Sequence, residues 1–307
     1  MDVLFLILLQ VIFPVFALLA AGAGLHRKYQ FDLRTLSKLT TNVFLPALAF
    51  VNIYESRIAG DLLAELVTFL LVQNVGLMII SGIAARAAGL DRKVAATFKN
   101  SVVLNNSGNY GLPVSQLVFA GNPVGMSIQV VVTIFQNVVT HTYGLFNSIS
   151  TQVKGAKTIV EMFKMPILYA MLAAVVLKGL GVAIPGFLWK PIDNVANGFV
   201  AVALFTLGAQ VAYLKLRRPS LPLTLTVIGR LLVSPSLGLL IIMIMGLEGV
   251  TAQALFIASA YPCSRNTALF ALEYDNDPDY AAEAVLLTTL LSAITVTVVV
   301  YLSKILW

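Results

Sequence analysis

Asn105-Asn106-Ser107-Gly108-Asn109-Tyr110-Gly111-Leu112-Pro113 stands inside an otherwise apolar stretch, 94–120, and its reading decides the fold. Asn, Gly and Ser crowd this segment and a proline ends it, a composition no lipid-facing helix tolerates. Proline removes a backbone donor and blocks the carbonyl four residues earlier, while each glycine costs a helix about 1 kcal/mol relative to alanine. Unpaired backbone in hydrocarbon costs several kcal/mol per group, so such a break must line a polar cavity or be buried in protein.

The surrounding sequence places that break in a membrane. Of 307 residues, 59% are hydrophobic and 11% charged, and the mean hydropathy is +0.90. Soluble domains carry roughly 45–50% apolar and about 25% charged residues, and disordered chains are poor in apolar residues. The single cysteine, Cys263, excludes a disulfide scaffold and any multi-cysteine metal site. The net charge of +6 is no nucleic-acid signal, because the basic residues sit in short segments between long apolar runs.

Apolar runs bounded by charge predict ten helices, at about 3–25, 36–54, 61–85, 94–120, 124–149, 165–184, 194–214, 221–246, 250–274 and 281–304. The first run has the acidic Asp2 and no basic residue before it, and it is too long for a signal-peptide core, so it reads as a span. Arg27, Lys28, Arg34, Lys38, Arg86, Arg92, Lys93, Lys99, Lys154, Lys157, Lys164, Lys215, Arg217 and Arg218 fall on one side. Arg57, Lys178, Lys190 and Lys304 fall on the other. The positive-inside rule makes the first side cytoplasmic and both termini extracytoplasmic. So short a set of loops leaves no room for a soluble domain, and function must lie within the bundle.

Phe13-Pro14-Val15-Phe16-Ala17-Leu18-Leu19-Ala20-Ala21 resembles Met165-Pro166-Ile167-Leu168-Tyr169-Ala170-Met171-Leu172-Ala173-Ala174, give or take one residue, and a weaker counterpart of the span 4 break appears in span 9 as Ser259-Ala260-Tyr261-Pro262-Cys263-Ser264-Arg265-Asn266. Five spans per repeat force the second repeat, 165–307, to insert upside down relative to the first, 1–150, with 151–164 as a cytoplasmic linker. Inverted repeats with matched broken helices are the pattern of secondary transporters. If the two breaks face each other, half-helix N-termini aim free N–H groups and positive dipole ends at one spot, which suits a carboxylate. The structural alternative is that Pro113 and Pro262 only kink their helices while Asn side chains satisfy freed backbone groups.

Other polar residues in apolar runs are candidates for the same cavity. Gln136, Asn137 and His141 lie in span 5; adjacent Gln136 and Asn137 point about 100° apart, whereas His141 shares the face of Asn137. His141 is the mid-span group that titrates nearest neutrality. Gln73 and Asn74 in span 3 stand as support. Arg230 in span 8 serves either to attract substrate or to clamp carbonyls, and Arg265, just past the span 9 break, faces the cytoplasmic vestibule. No metal-binding set and no HExxH, GxSxG or P-loop pattern occurs, which argues against an enzyme.

These residues resemble the auxin efflux carrier family, the bacterial relatives of plant PIN-type exporters, within the wider group that holds the bile-acid/sodium symporters. Asn106 with Gly111 and Pro113 is similar to the family's first crossover. Tyr261-Pro262, Phe270-Ala271-Leu272-Glu273-Tyr274 and Asp277-Pro278-Asp279 resemble its second crossover and the following turn. The resemblance implies an all-α polytopic membrane protein of two inverted five-helix repeats, with a scaffold of helices 1, 2, 6 and 7. It further implies a transport domain of helices 3–5 and 8–10, elevator-type alternating access and homodimers in the plasma membrane. It also implies that Asn106 helps bind a substrate carboxylate, with Gln136 and His141 at polar cavity positions. Together with the residues of the two breaks and span 5, the expected substrate site comprises Asn105, Asn106, Asn109, Gly111, Pro113, Gln136, Asn137, His141, Pro262, Cys263 and Asn266. An Asp–Lys pair that supports the site in plant members is replaced here by Gln73-Asn74. The expected function is export of a small carboxylate without a cofactor. The alternatives are coupling to Na+ or H+ as a symporter, and a channel or ligand-sensing receptor.

Overall fold

Helices start where a side chain accepts from the first turn's free N–H groups or where a proline removes one of those donors. A computed structural model describes residues 13–55, 60–111, 114–115, 118–119, 122–152, 164, 166–212 and 220–307. The expectations on Pro113, most of the 151–164 linker and Arg217 fall outside these residues, as does the side chain of Asn109. Among the described residues the chain is helical throughout, with an isolated bridge between Asn105 and Cys263 and no strand.

The helices of the first half are α1 (Phe13–Tyr29), α2 (Leu33–Leu39), α3 (Leu45–Glu55), α4 (Gly60–Ala87), α5 (Arg92–Val103), α6 (Pro123–Val139) and α7 (Leu145–Ile149). The second half holds α8 (Pro166–Gly179), α9 (Gly186–Val211), α10 (Leu221–Ile228), α11 (Ser234–Met245), α12 (Gly249–Ser259), α13 (Arg265–Tyr274) and α14 (Pro278–Leu306). Single π-helical turns at Thr40–Phe44, Thr140–Gly144 and Gly229–Val233 run α2 into α3, α6 into α7 and α10 into α11. Asp91, Asn122, Ser220, Ser264 and Asp277 each cap the following helix with a side-chain acceptor. The helix expected from 194 begins earlier, at Gly186, because Pro185 enters it in extended geometry. Pro191 is carried near that exposed end, where water can take up the carbonyl a proline leaves free.

Leu63–Ala87, Leu221–Met245 and Pro278–Leu306 are long and apolar enough to cross a membrane. Their outward faces suit lipid: Leu71, Val75, Ile79 and Ile83 on α4, and Ile294, Val298, Tyr301 and Ile305 on α14, are exposed at helical spacing.

Two sets of helices emerge from the packing. In one, α9 lies on α1 and α3, and α8 lies on α3. Close approach is built in by glycine: a Cβ on Gly22 would strike the Phe205 carbonyl, and one on Gly208 the Leu19 carbonyl. In the other, α4, α6, α11, α12 and α14 enclose a core that includes Leu66, Phe69, Tyr110, Ile128, Phe256 and Tyr261, and α5 packs against α4 and α14. The sets meet where α9 touches α13 and α14, where α2 touches α13, and where α3 touches α6.

Candidate functional site

The two interrupted segments solve each other's backbone problem. Helix α5 stops at Val103, and Leu104 turns extended at φ −84° and ψ 115°. Helix α12 stops at Ser259, and the chain resumes as α13 at Arg265. Between them, Asn105 and Cys263 pair antiparallel. The Asn106 N–H donates to the Pro262 carbonyl at 2.9 Å, and the Ser264 N–H to the Leu104 carbonyl at 2.8 Å. Each break thus supplies the partners that the other lacks in an apolar interior.

The helix ends around this pairing are of two kinds. The C-terminal ends of α5 and α12 present carbonyls, and Arg230 binds them. Its two terminal nitrogens donate to Val102 O at 2.7 Å and Val103 O at 3.5 Å, and to Ser259 O at 2.6 Å and Ser234 Oγ at 2.5 Å. Of the two roles open to Arg230, the carbonyl clamp is the one its contacts show. The resuming segments present N–H groups instead. Ser264 caps α13, its Oγ accepting from Asn266 N at 3.3 Å. Gln129 on α6 fastens the other segment, donating to Ser107 O at 2.8 Å while its Oε1 accepts from Tyr261 OH at 2.9 Å and Ser115 Oγ at 3.1 Å.

Beside these N-terminal ends lies a cavity of about 190 Å³. Asn105, Asn106, Ser107 and Gly108 line it from the first break, and Ser264, Arg265 and Asn266 from the second. Helix α6 adds Thr133, Gln136 and Asn137, and Thr140 follows it. The far wall is apolar: Leu45 and Leu48 of α3 and Phe199 of α9, from the other packing set. The guanidinium carbon of Arg265 sits 4.2 Å from the Phe199 ring centroid, a cation–π contact. Arg265 is only 4% exposed, and among the described residues its Nε and Nη1 have no acceptor. The Oδ1 atoms of Asn105 and Asn266 are likewise buried and unpartnered. Buried polar atoms are almost always bonded, and a buried cation without a counter-charge is costly, so this wall carries an uncompensated positive charge at Arg265 beside unpartnered amide oxygens.

Of the expected site residues, Asn105, Asn106, Gln136, Asn137 and Asn266 line the cavity, and Arg265, expected at a vestibule, lines it too. Others stand apart from it. Pro262 and Cys263 sit in the backbone crossing, and Gly111 packs under the Tyr261 ring. Gln73 reaches Ser234 O at 3.5 Å, and Asn74 folds back onto Leu70 O at 2.8 Å. His141 was expected on the face of Asn137. The π-helical turn that begins at Thr140 alters the register, and His141 lies buried edge-on to Phe270, ring centroids 6.3 Å apart. Thr133 and Thr140 had no distinguishing signal in the sequence, since lone hydroxyls in apolar runs are common, whereas Ser264 stood within the span 9 break. Leu45, Leu48 and Phe199 had none at all.

The second half of the chain, residues 150–300, matches a family described as "Membrane transport protein". An uncharacterized transporter of Methanothermobacter thermautotrophicus is 25% identical over 300 residues, covering 96% of this chain and 94% of the relative. With the paired breaks and the lipid-facing helices, these matches support a multi-pass membrane transporter, similar to the family described as membrane transport proteins.

Proposed function

We propose that the protein carries small organic anions, carboxylates above all, across the plasma membrane by alternating access. The observation that carries this reading is Arg265, a buried guanidinium on the cavity wall with two nitrogens that lack acceptors. A carboxylate fits it because a guanidinium offers a planar fork of donors that matches two carboxylate oxygens. The N-terminal end of α13 adds positive potential at the same wall. Asn106 and Asn266 offer amide groups to the anion's remaining oxygens, and Phe199 closes over its carbon skeleton.

The cavity lies between the two packing sets, so sliding one past the other would expose it to either side in turn. In that mechanism α4–α7 and α10–α14 travel with the anion, while α1–α3, α8 and α9 stay fixed as the scaffold. Export needs no partner ion: with the inside negative, moving one anion outward releases about 2.3 kcal/mol per 100 mV.

A thermal-shift screen of the purified protein against malonate, malate and aromatic monocarboxylates tests this. A ligand that binds the folded state alone at 100 times its Kd stabilises it by about 2.7 kcal/mol. At least one carboxylate should raise the unfolding temperature, and Arg265→Gln should abolish that rise while leaving the unliganded protein folded. A screen with no carboxylate response, or an equal response in Arg265→Gln, removes the proposal.

A further inference from the structure

We propose that Arg230 is a tethered cation occupying a site of the kind that binds a free coupling ion. In carriers with broken helices, unwound carbonyls and half-helix C-terminal ends coordinate the coupling cation. Here those groups converge: the last carbonyls of α5, at Val102 and Val103, and of α12, at Ser259. Ser234 Oγ completes a set of four uncharged oxygens. All-oxygen sets of this kind suit a hard cation, and the two helix ends add their negative dipole ends to it.

The guanidinium fills that set and is held there by its own chain. It is 1% exposed, and its two terminal nitrogens make every one of these contacts while the buried Nε has no acceptor. Positive charge at one point therefore matters more than use of the whole donor fork. The backbone is shaped to deliver it. Arg230 leaves the π-helical turn Gly229–Val233, and a Cβ on Gly229 would lie 2.9 Å from Val102 Cγ2. Only glycine lets the turn come this close to α5. The anion cavity draws on the opposite, N-terminal helix ends, so the two cations serve the two sides of the same crossing.

The consequence for transport rests on the carrier reading above: such a carrier has its cation permanently bound and turns over without Na+. The occupancy of the site does not depend on that reading. It is tested by comparing wild type with Arg230→Ala in thermal unfolding, with choline chloride, NaCl, N-ethylguanidinium chloride or N-ethylurea added at millimolar concentration. N-ethylguanidinium restores the atoms that the substitution deletes, and N-ethylurea is its neutral counterpart. Wild type should unfold at the same temperature in all four. Arg230→Ala should unfold earlier in choline and regain at least about 2 °C with Na+ or N-ethylguanidinium but not with N-ethylurea. If the variant cannot be purified in choline, its yield as a monodisperse species with each additive is the same readout.

Stabilisation of wild type by Na+ over choline overturns the proposal. So does an Arg230→Ala variant that neither cation restores, or that N-ethylurea restores equally well. No carboxylate enters this experiment, so its failure leaves the anion site standing, and failure of the anion screen leaves this site standing.

Discussion

Arg230 and Arg265 bring the same guanidinium to opposite ends of the broken helices, and what surrounds each decides its work. Arg230 meets carbonyls at helix C-termini and is saturated by them at both terminal nitrogens. Arg265 meets an aromatic face and an open cavity, and two of its nitrogens are left over. Asn106 has a comparable split between backbone and side chain. Its N–H donates to Pro262 and its carbonyl accepts from Tyr110 and Gly111, whereas its side chain faces the cavity. Asn106→Ala should therefore keep the fold and lose the carboxylate response, read as an unchanged unfolding temperature without ligand and a shift at least about tenfold weaker in ligand concentration. An unchanged ligand response would take Asn106 out of the site. These residues were legible as candidates because polar groups in an apolar run must have a reason to be there. Which of them share one cavity was not legible: His141 and Asn137 satisfy the same spacing rule, and a single wide turn separates them.

At the scale of elements, the glycines tell structural contacts from open surface. Gly22 and Gly208 let α1 and α9 touch backbone to backbone, whereas Gly24, two residues along α1, meets nothing within 4 Å. Gly22→Ala or Gly208→Ala should cost about 1–3 kcal/mol or more, because the obstructing atoms are backbone and cannot turn aside. Gly24→Ala should be neutral or stabilise by up to about 1 kcal/mol through helix propensity. Thermal unfolding of the three variants in one detergent checks the order, and equal losses would contradict the packing described. Gly111 is tight for a different reason: a Cβ there would lie 2.5 Å from the Tyr261 ring and 2.6 Å from Gln129 Nε2. It serves the crossing by keeping the ring and the Gln129 amide in place. Among the described residues, most helix ends were readable from apolar runs bounded by charge to within a few residues. The expected start at 194 follows Lys190 and Asp193, which bound the apolar run, whereas α9 reaches back to Gly186 and carries those charges and Pro191 inside it.

For the whole molecule, the charge distribution predicts which loops face the cytoplasm. Ala87, at the end of α4 beside Arg86, and Ala183, between α8 and α9, are both exposed. In a Cys263→Ser background, Ala87→Cys should react with an impermeant thiol reagent only in inside-out vesicles, and Ala183→Cys only in right-side-out ones. Reaction of both from one side would overturn the orientation. Sequence alone determined that this chain lives in a membrane and that spans 4 and 9 are broken, because hydrocarbon penalises every unpaired backbone group and exposed charge, whatever the fold. Resemblance carried over its full length pointed to the carrier family. The tertiary structure decided that the two breaks satisfy each other's backbone and that Arg230 clamps helix C-termini. It also decided that Arg265 looks into a cavity whose far wall is Phe199. Those outcomes depend on groups far apart in the chain, Leu104 with Ser264 and Val102 with Arg230. Their meeting is set by how the helices pack, and no local pattern encodes it.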